Sequence, residues 1–158
     1  METASGPPEE PGKKKKRSLV RVELPGDDVP ILGAAEATAE ALEGRHVFFR
    51  RGEAVIFPSP TGEAKMLPMT AIVFRSAIER YVEYFKTRSD ESGNTWPVVR
   101  SLNNKDAETI LFSSAFWPRL PEIKRVHPCP LPVLRPGGKV EMLEPGYDVA
   151  TGIYTFPG

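Results

Sequence analysis

Proline and glycine interrupt the chain from residue 131 to residue 158 at short intervals, and this spacing limits what the segment can form. The segment reads LPVLRPGGKVEMLEPGYDVATGIYTFPG. Proline lacks a backbone N–H donor and glycine loses much conformational entropy on folding, so neither suits the interior of a long helix or strand. The apolar stretches between them are typical of short strands joined by tight turns. We therefore predict strands at PVLR, KVEML and GIYTF, with turns at Pro136–Gly138 and at EPGYD.

Composition and charge limit the class of protein. The 158 residues include 17 prolines and 13 glycines, and 40% of them are hydrophobic, which indicates one domain with a modest core and many turns. Lys and Arg together number 21, as do Asp and Glu, so the formal net charge is zero. These numbers exclude a nucleic-acid binder that is basic over its whole surface, and any such role must rest on a local patch.

The chain divides into three predicted regions. Residues 1–17 contain almost no apolar side chain and end in a run of lysines, so we predict a disordered basic tail. Residues 18–120 carry the helical and alternating apolar patterns of an α+β domain. Residues 121–158 are predicted to form a turn-rich β connector.

The domain begins with a predicted strand and helix. SLVRVELPG alternates between apolar and polar residues, as a strand does. In the next stretch, Asp27 or Asp28 is placed to cap a helix, with Pro30 in the first turn and Gly44 at the end. HVFFRRGEAVIFPS then predicts a hairpin that turns at Arg51–Gly52.

The stretch PMTAIVFRSAIERYVEYFKTR allows two interpretations. Thr70 can cap a helix, and the spacing from Phe74 to Phe85 fits one long apolar stripe. RYVEYFK is also rich in aromatic and β-branched residues, which favours a strand after a shorter helix. With a strand at 81–87 the element order becomes β-α-β-β-α-β, the split βαβ arrangement of ferredoxin-like domains.

The remaining patterns complete the predicted fold class. SDESGNTWP predicts a loop, and NNKDAETILFSSAFWPRLP predicts a capped helix over 105–116 with Ala107, Ile110, Leu111 and Ser114 on one face. We predict an α+β fold with a small antiparallel or mixed sheet and two or three helices, with the ferredoxin-like arrangement as one form of it. A Pro/Gly-rich β extension follows.

The sequence contains no motif that indicates catalysis. His46, His127 and Cys129 do not have the spacing of a zinc site, and no phosphate-binding loop, dinucleotide fingerprint or nucleophile elbow occurs. Asp27 and Asp28 resemble the paired aspartates that hold magnesium, but adjacent side chains on an extended backbone point to opposite faces. We predict no catalytic residue, no metal ligand, no cofactor and no enzymatic activity.

Two basic stretches are candidates for binding nucleic acid. The first is Lys13, Lys14, Lys15, Lys16 and Arg17, which form either a solvated tail or an arm that contacts phosphates. The second mixes basic and aromatic residues, which together can hold phosphates and stack on bases. The alternative for this second stretch is that an aromatic ring belongs to the core while the arginines form a solvated turn. Its candidate residues are Arg45, Phe48, Arg50 and Arg51.

The sequence also predicts where the protein resides. No apolar run approaches the roughly 20 residues that cross a bilayer, and no apolar stretch of a secretory signal follows the first charges. A single cysteine excludes an intramolecular disulfide, which fits a reducing compartment. We predict a cytoplasmic protein without a membrane partner.

The stretch LRPGGKVEMLEPGYDVATGIY resembles a segment of the large replication proteins of phages and integrated mobile elements. In that family the segment lies just ahead of a P-loop primase-helicase ATPase. Gly137 stands where the family usually has Asp, which preserves the turn. More loosely, AAEATAEAL and VFFRRGEAVIF resemble the helix and hairpin that open the family's region, and the family has a strand where RYVEYFK lies. The matching residues of the last segment are Leu134, Arg135, Pro136, Gly138, Pro145, Gly146, Tyr147, Asp148, Thr151, Gly152, Ile153 and Tyr154.

This resemblance implies a strand at 81–87 and a role in DNA replication. The implied function is that of a non-catalytic accessory module that contacts DNA or positions the motor. Its implied partners are DNA and a helicase or primase ATPase domain, in the same chain or in another. One alternative is a protein-interaction module without DNA contact, and the least favoured is a nucleotidyl transferase that uses Asp27 and Asp28.

Overall fold

A computed structural model describes residues 19–26 and 28–158 of the chain. The predictions for the basic tail, including Lys13 to Arg17, and for Asp27 lie outside these residues. Within them, the chain forms three α-helices and eleven short strands, so the predicted α+β class is confirmed. The helices are α1 (Leu32–Leu42), α2 (Ala71–Ile78) and α3 (Asn104–Leu111). The strands are β1 (Val20–Glu23), β2 (Phe49–Arg51), β3 (Ala54–Pro58), β4 (Met66–Pro68), β5 (Val82–Ser89), β6 (Thr95–Val99), β7 (Arg125–Pro128), β8 (Leu131–Leu134), β9 (Val140–Leu143), β10 (Gly146–Asp148) and β11 (Ile153–Phe156).

The first sheet has the order β1-β5-β6. β1 pairs in parallel with β5, with Val22 opposite Tyr84, and β5 pairs with β6 in antiparallel fashion. The residues 82–89 therefore form a strand, as the resemblance implied, rather than the end of a long helix. The β-branched and aromatic residues of this stretch suit a central strand, because their side chains pack well against a pleated surface.

The second sheet has the order β2-β3-β4 and is separate from the first. A ferredoxin-like domain pairs all four strands of its β-α-β-β-α-β unit in one sheet. Here the hairpin strands β2 and β3 do not pair with β1 or β5, so the ferredoxin-like arrangement is not confirmed. The hairpin turn also lies one residue later than predicted, because Arg51 pairs with Ala54.

Side-chain caps begin two of the three helices. The Thr70 hydroxyl accepts a hydrogen bond from the Val73 amide at the start of α2, as predicted, and Asn103 caps α3 by accepting from the Asp106 amide. The start of α1 differs from the prediction: Ile31 is its N-cap residue and no side chain caps it. Asp28 lies in the turn before the helix, so its predicted capping role is wrong.

Helix α3 is shorter than its apolar pattern indicated. Ala107, Ile110 and Leu111 are buried as predicted, but the helix ends at Leu111 and Ser114 is exposed. A short 3₁₀ turn over Trp117–Arg119 follows before the chain enters its last third. The predicted length of this helix thus fails at its C-terminal side, where no glycine or proline directly follows Leu111.

The main core lies between the first sheet and the three helices. It contains one fully enclosed polar pair: the Thr38 hydroxyl donates to the Ala34 carbonyl oxygen (2.7 Å) and lies 2.9 Å from the Tyr84 hydroxyl. Burial raises the pKa of Tyr84, so its phenol stays neutral. The largest buried side chains of this core are Tyr84, Phe74, Phe116, Ile78, Leu102, Ile110 and Leu111.

The last third of the chain forms two further sheets, β10-β11-β7 and β8-β9. EPGYD was predicted as a turn, but Gly146–Asp148 is a strand that pairs with β11. This region packs on the hairpin, since the Arg50 amide donates to the Pro121 carbonyl oxygen (3.0 Å) and the Ile123 amide to the Arg50 carbonyl oxygen (2.9 Å). The domain boundary at residue 120 stays a prediction. In the part of the chain described above, no helix has the length and apolar character to span a membrane.

Candidate nucleic-acid interface

The two phenylalanines of the predicted basic-aromatic stretch face opposite sides of the hairpin. Phe48 is 5% exposed, belongs to the main core and packs on the rings of Phe74 and Tyr81 at 5.9 and 6.4 Å. Phe49 is fully buried on the other side, against Tyr147 and Tyr154 at 5.1 and 5.4 Å. Phe48 also lines the surface groove described below, but a ring that is 5% exposed offers little face on which a base could stack.

The Arg50 side chain is bonded to the segment that follows α3. Its Nε donates to the Leu120 carbonyl oxygen at 3.2 Å, and its Nη1 lies 3.7 Å from Glu122 Oε1. Both partners belong to the segment that runs beside β2, where Arg50 and Glu122 also form a parallel β-bridge. Arg50 therefore joins the hairpin to the last third of the chain, and Arg51 is an exposed residue beside the hairpin turn.

Arg45 lies at the edge of a surface groove. Its guanidinium carbon is 5.6 Å from the centre of the Tyr81 ring, a cation–π distance, and its Nε donates to the Ala41 carbonyl oxygen at 3.1 Å. The hydrogen bond fixes the stem of the side chain against the end of α1. Of the four nominated residues in this stretch, Arg45 is the one whose guanidinium lies over a partly exposed aromatic ring, Tyr81.

The groove beside Arg45 has a volume of about 340 Å³. Four separate parts of the chain form it: the segment before β2, strand β3, the end of α2 with the turn that follows it, and strand β11. We call it the His46 groove and define it by its partly or fully exposed basic and aromatic residues. These are His46, Phe57, Arg80, Tyr81 and Tyr154.

The charge of the His46 groove is positive. Arg80 is exposed in its wall, Arg45 lies over Tyr81 at its edge, and the described residues that line it include no carboxylate. Burial raises the pKa of the Tyr154 phenol, so this group stays neutral and keeps its hydrogen for donation. A groove with cationic walls and aromatic rings matches the charge and the base faces of a nucleic-acid strand.

His46 is held in an unusual backbone conformation. Its φ is 51°, and it is the only non-glycine residue with positive φ in residues 19–26 and 28–158. The left-handed region costs an L-residue about 1 kcal/mol or more, so the surroundings must fix it. The ring lies edge-on to Tyr147 at 5.2 Å, and the Tyr147 hydroxyl donates to the Glu122 carbonyl oxygen at 2.8 Å.

Three of the residues that carry the resemblance, Arg135, Asp148 and Thr151, form a structural clasp. Arg135 binds Asp148 with two parallel hydrogen bonds, Nη1 to Oδ2 at 3.0 Å and Nη2 to Oδ1 at 2.8 Å, and its Nε donates to Glu141 at 2.6 Å. The Thr151 amide and hydroxyl also donate to Asp148, at 3.1 and 2.5 Å. Arg135 and Thr151 together lower the Asp148 pKa to about 2. The clasp thus ties the β8–β9 hairpin to β10 and to the turn before β11.

Gly152 completes the clasp for steric reasons. Its φ is 69°, and its amide donates to the Asp148 carbonyl oxygen at 2.9 Å. A Cβ at this position would lie 3.0 Å from Lys124 Cγ and 3.4 Å from the Glu122 carbonyl oxygen. The Thr-Gly pair of the motif is therefore explained by turn geometry.

The sequence missed most of the groove, since Phe57, Arg80, Tyr81 and Tyr154 were not nominated as site residues. Among the described residues, no three His, Cys, Asp or Glu side chains come together as a metal site would require.

Comparisons with protein-family models, with curated proteins and with solved structures find no match to this chain.

Proposed function

We propose that this chain is a non-catalytic accessory module of phage or mobile-element DNA replication, and that it contacts single-stranded DNA through the His46 groove. The observation that carries the proposal is that Arg80 and partly exposed aromatic rings line one groove, with Arg45 over Tyr81 at its edge and no carboxylate among the described residues that line it. The replication role rests on the resemblance of the last segment. The proposed location is the cytoplasm, and the proposed protein partner is a helicase or primase ATPase.

Single-stranded DNA suits this groove better than a duplex. Bases in a single strand are free to turn toward aromatic side chains, and base–aromatic stacking contributes about 1–3 kcal/mol per base. Tyr81 and Tyr154 offer partly exposed rings, while Arg45 and Arg80 offer guanidinium groups to phosphates. The zero net charge is compatible with this role because the cations are concentrated locally.

A double variant with a charge-matched control tests the groove. We expect Arg45→Ala/Arg80→Ala to weaken binding of a labelled oligothymidine by about tenfold or more, because two phosphate contacts are lost. The slope of log K against log salt should fall by about 1.4, since each contact to a single strand contributes about 0.7. Fluorescence anisotropy across a salt series measures both quantities.

Lys65→Ala/Lys139→Ala is the control, because it removes the same charge from exposed positions outside the groove. It should retain nearly all of the affinity. Equal losses in the two double variants would mean that binding follows net charge alone and would exclude the groove. No binding by the unaltered chain at low salt would exclude the DNA-binding proposal altogether.

The basic run Lys13–Arg17 is proposed as an additional arm that contacts phosphates. Replacing its five residues with glutamine in the full chain should lower the salt slope further, while leaving the effect of the groove variant unchanged. If the slope does not respond to this replacement, the run is a solvated tail.

A second candidate function is docking of a protein partner without DNA contact. The β8–β9 hairpin supports it, because four apolar residues lie on one of its faces and are all exposed. This candidate predicts that the chain co-purifies with a helicase in high salt and that Leu134→Lys abolishes the co-purification. High salt screens contacts to phosphates, whereas an apolar contact persists. The four residues are Pro132, Leu134, Val140 and Met142.

A further inference from the structure

The hairpin formed by β5 and β6 presents an exposed tryptophan. Residues 87–97 are all exposed, and Trp96 retains 45% of its surface. By contrast Trp117, the other tryptophan, is packed against the main core. Nearly half of the indole surface is thus left open on an ordered strand, where a large amphipathic ring is available to a partner.

The strand register places cations beside the indole. Trp96 lies opposite Arg88, and Val98 lies opposite Lys86. Directly opposed residues of an antiparallel pair share a face of the sheet, and so do residues two apart along one strand. Arg88, Lys86 and Trp96 therefore lie on one face, whereas Thr87, Pro97 and Val99 lie on the other.

The turn that supports this face is ordered by hydrogen bonds. Asp90 Oδ1 accepts from the Ser92 and Asn94 amides, each at 2.9 Å, and Asp90 Oδ2 accepts from the Asn94 side-chain amide at 3.1 Å. These bonds lower the Asp90 pKa. The Asp90 carboxylate is thus directed into the turn. The exposed Glu91 lies at the tip of the hairpin, outside the strand β6 that contains Trp96.

We infer that the β5–β6 hairpin is a second contact for single-stranded nucleic acid, in which Trp96 stacks on a base and Arg88 binds a neighbouring phosphate. The inference rests on the proposed function. The indole shares its face with the guanidinium of Arg88 and the ammonium of Lys86, and with only one further apolar side chain of the hairpin, the partly buried Val98. The occupant is therefore a polyanion rather than an apolar protein surface.

This contact is separate from the His46 groove. The groove includes Tyr81, which precedes β5, and Arg88 lies near the far end of the same strand. At about 3.3 Å per residue, the length of β5 from Val82 to Arg88 spans about 20 Å. A variant in the hairpin therefore leaves the groove intact, and the two contacts are tested independently.

Trp96→Ala should weaken binding of an oligothymidine of about 12 nucleotides, within the site sizes of single-strand binding modules, by about tenfold. Trp96→Phe should retain most of the affinity because it keeps an aromatic face. Arg88→Ala should lower the salt slope by about 0.7. Val99→Ala is the matched control: Val99 is 59% exposed on the opposite face of the same hairpin, and its loss should change nothing. Retained cooperative urea unfolding of each variant establishes that it is folded.

The outcomes separate this inference from the proposed function. If the groove variant weakens binding and Trp96→Ala does not, the hairpin contact is wrong and the groove stands. If Trp96→Ala weakens binding and the groove variant does not, the hairpin binds and the groove proposal is wrong. Equal losses in Trp96→Ala and Trp96→Phe would overturn base stacking, and no binding by the unaltered chain would overturn both.

Discussion

Replacing Phe49 with alanine is expected to lower the free energy of unfolding by about 3–5 kcal/mol, the usual cost of deleting a buried phenylalanine ring. Phe49 has no exposed surface and lies between the rings of Tyr147 and Tyr154. The substitution removes the ring and leaves a cavity between the hairpin and the last third of the chain. Urea denaturation followed by circular dichroism measures the loss.

Phe48→Ala is the informative comparison. It deletes the same ring one position earlier, but Phe48 packs into the main core against Phe74 and Tyr81. We expect similar losses of stability, with different patterns of amide hydrogen exchange. Phe49→Ala should raise exchange selectively in β10 and β11, because its ring is what those strands pack on. Equal exchange patterns would contradict two separate packing layers.

Asp148→Asn is expected to cost about 2–3 kcal/mol, because it breaks a bidentate charged pair and leaves Arg135 without its main partner. The side chains of Arg135 and Asp148 are 20% and 17% exposed, so water replaces the lost bonds poorly. Glu141→Gln is the control: Glu141 also binds Arg135 but is 53% exposed, and its loss should cost less than about 1 kcal/mol. Similar costs for the two variants would contradict the clasp.

The Arg135–Asp148 pair makes the stability of the fold depend on pH, and the Asp148 pKa fixes the direction of this dependence. The Asp148 pKa is about 2 in the folded protein, below the ordinary value of about 3.9 for an unfolded chain. The carboxylate therefore stabilises the fold fully above about pH 4, and this stabilisation is lost as the pH falls toward 2. The stability difference between the unaltered protein and Asp148→Asn should shrink across this window. Other carboxylates titrate in both proteins and cancel in the difference.

Local patterns predicted the element types better than their ends or their partners. The cap at Thr70 follows from residue types that act within a few positions. Residue types at 82–89 allowed both a strand and a long helix, and the resemblance implied the strand that is observed. The first three residues of strand β6, Thr95 to Pro97, lie in the stretch SDESGNTWP, which was predicted as a loop. Proline is tolerated there since β6 is the edge strand of its sheet, where a missing amide donor breaks no ladder.

The strand β10 shows a second limit of local patterns. Pro145 and Gly146 predict a turn, and Tyr147 is nevertheless extended because it pairs with Tyr154 and its hydroxyl reaches the Glu122 carbonyl oxygen. These contacts come from distant parts of the chain. The residues within EPGYD carry no information about these distant contacts, so the local sequence pattern could not have predicted this strand.

The candidate site was predictable only in part, for the same reason. Arg45 was found because basic and aromatic residues are adjacent in sequence there, and the same pattern nominated Phe48, a core residue that lines the groove with little exposed surface. Alternation along the hairpin indicates that Phe48 and Phe49 face opposite sides, but it does not indicate that both sides are covered. Arg80 and Tyr154 reach the groove through the chain's tertiary fold, which brings α2 and β11 to the same surface.

Amide chemical-shift mapping with a single-stranded oligonucleotide tests the central proposal, DNA contact through the His46 groove, most directly. Contact through the groove predicts shifts at His46, Arg80 and Tyr81 that saturate with the DNA and weaken as salt is raised, while Met142 on the apolar β8–β9 face stays unchanged. Shifts confined to the β8–β9 hairpin, or no shifts at low salt, would contradict it.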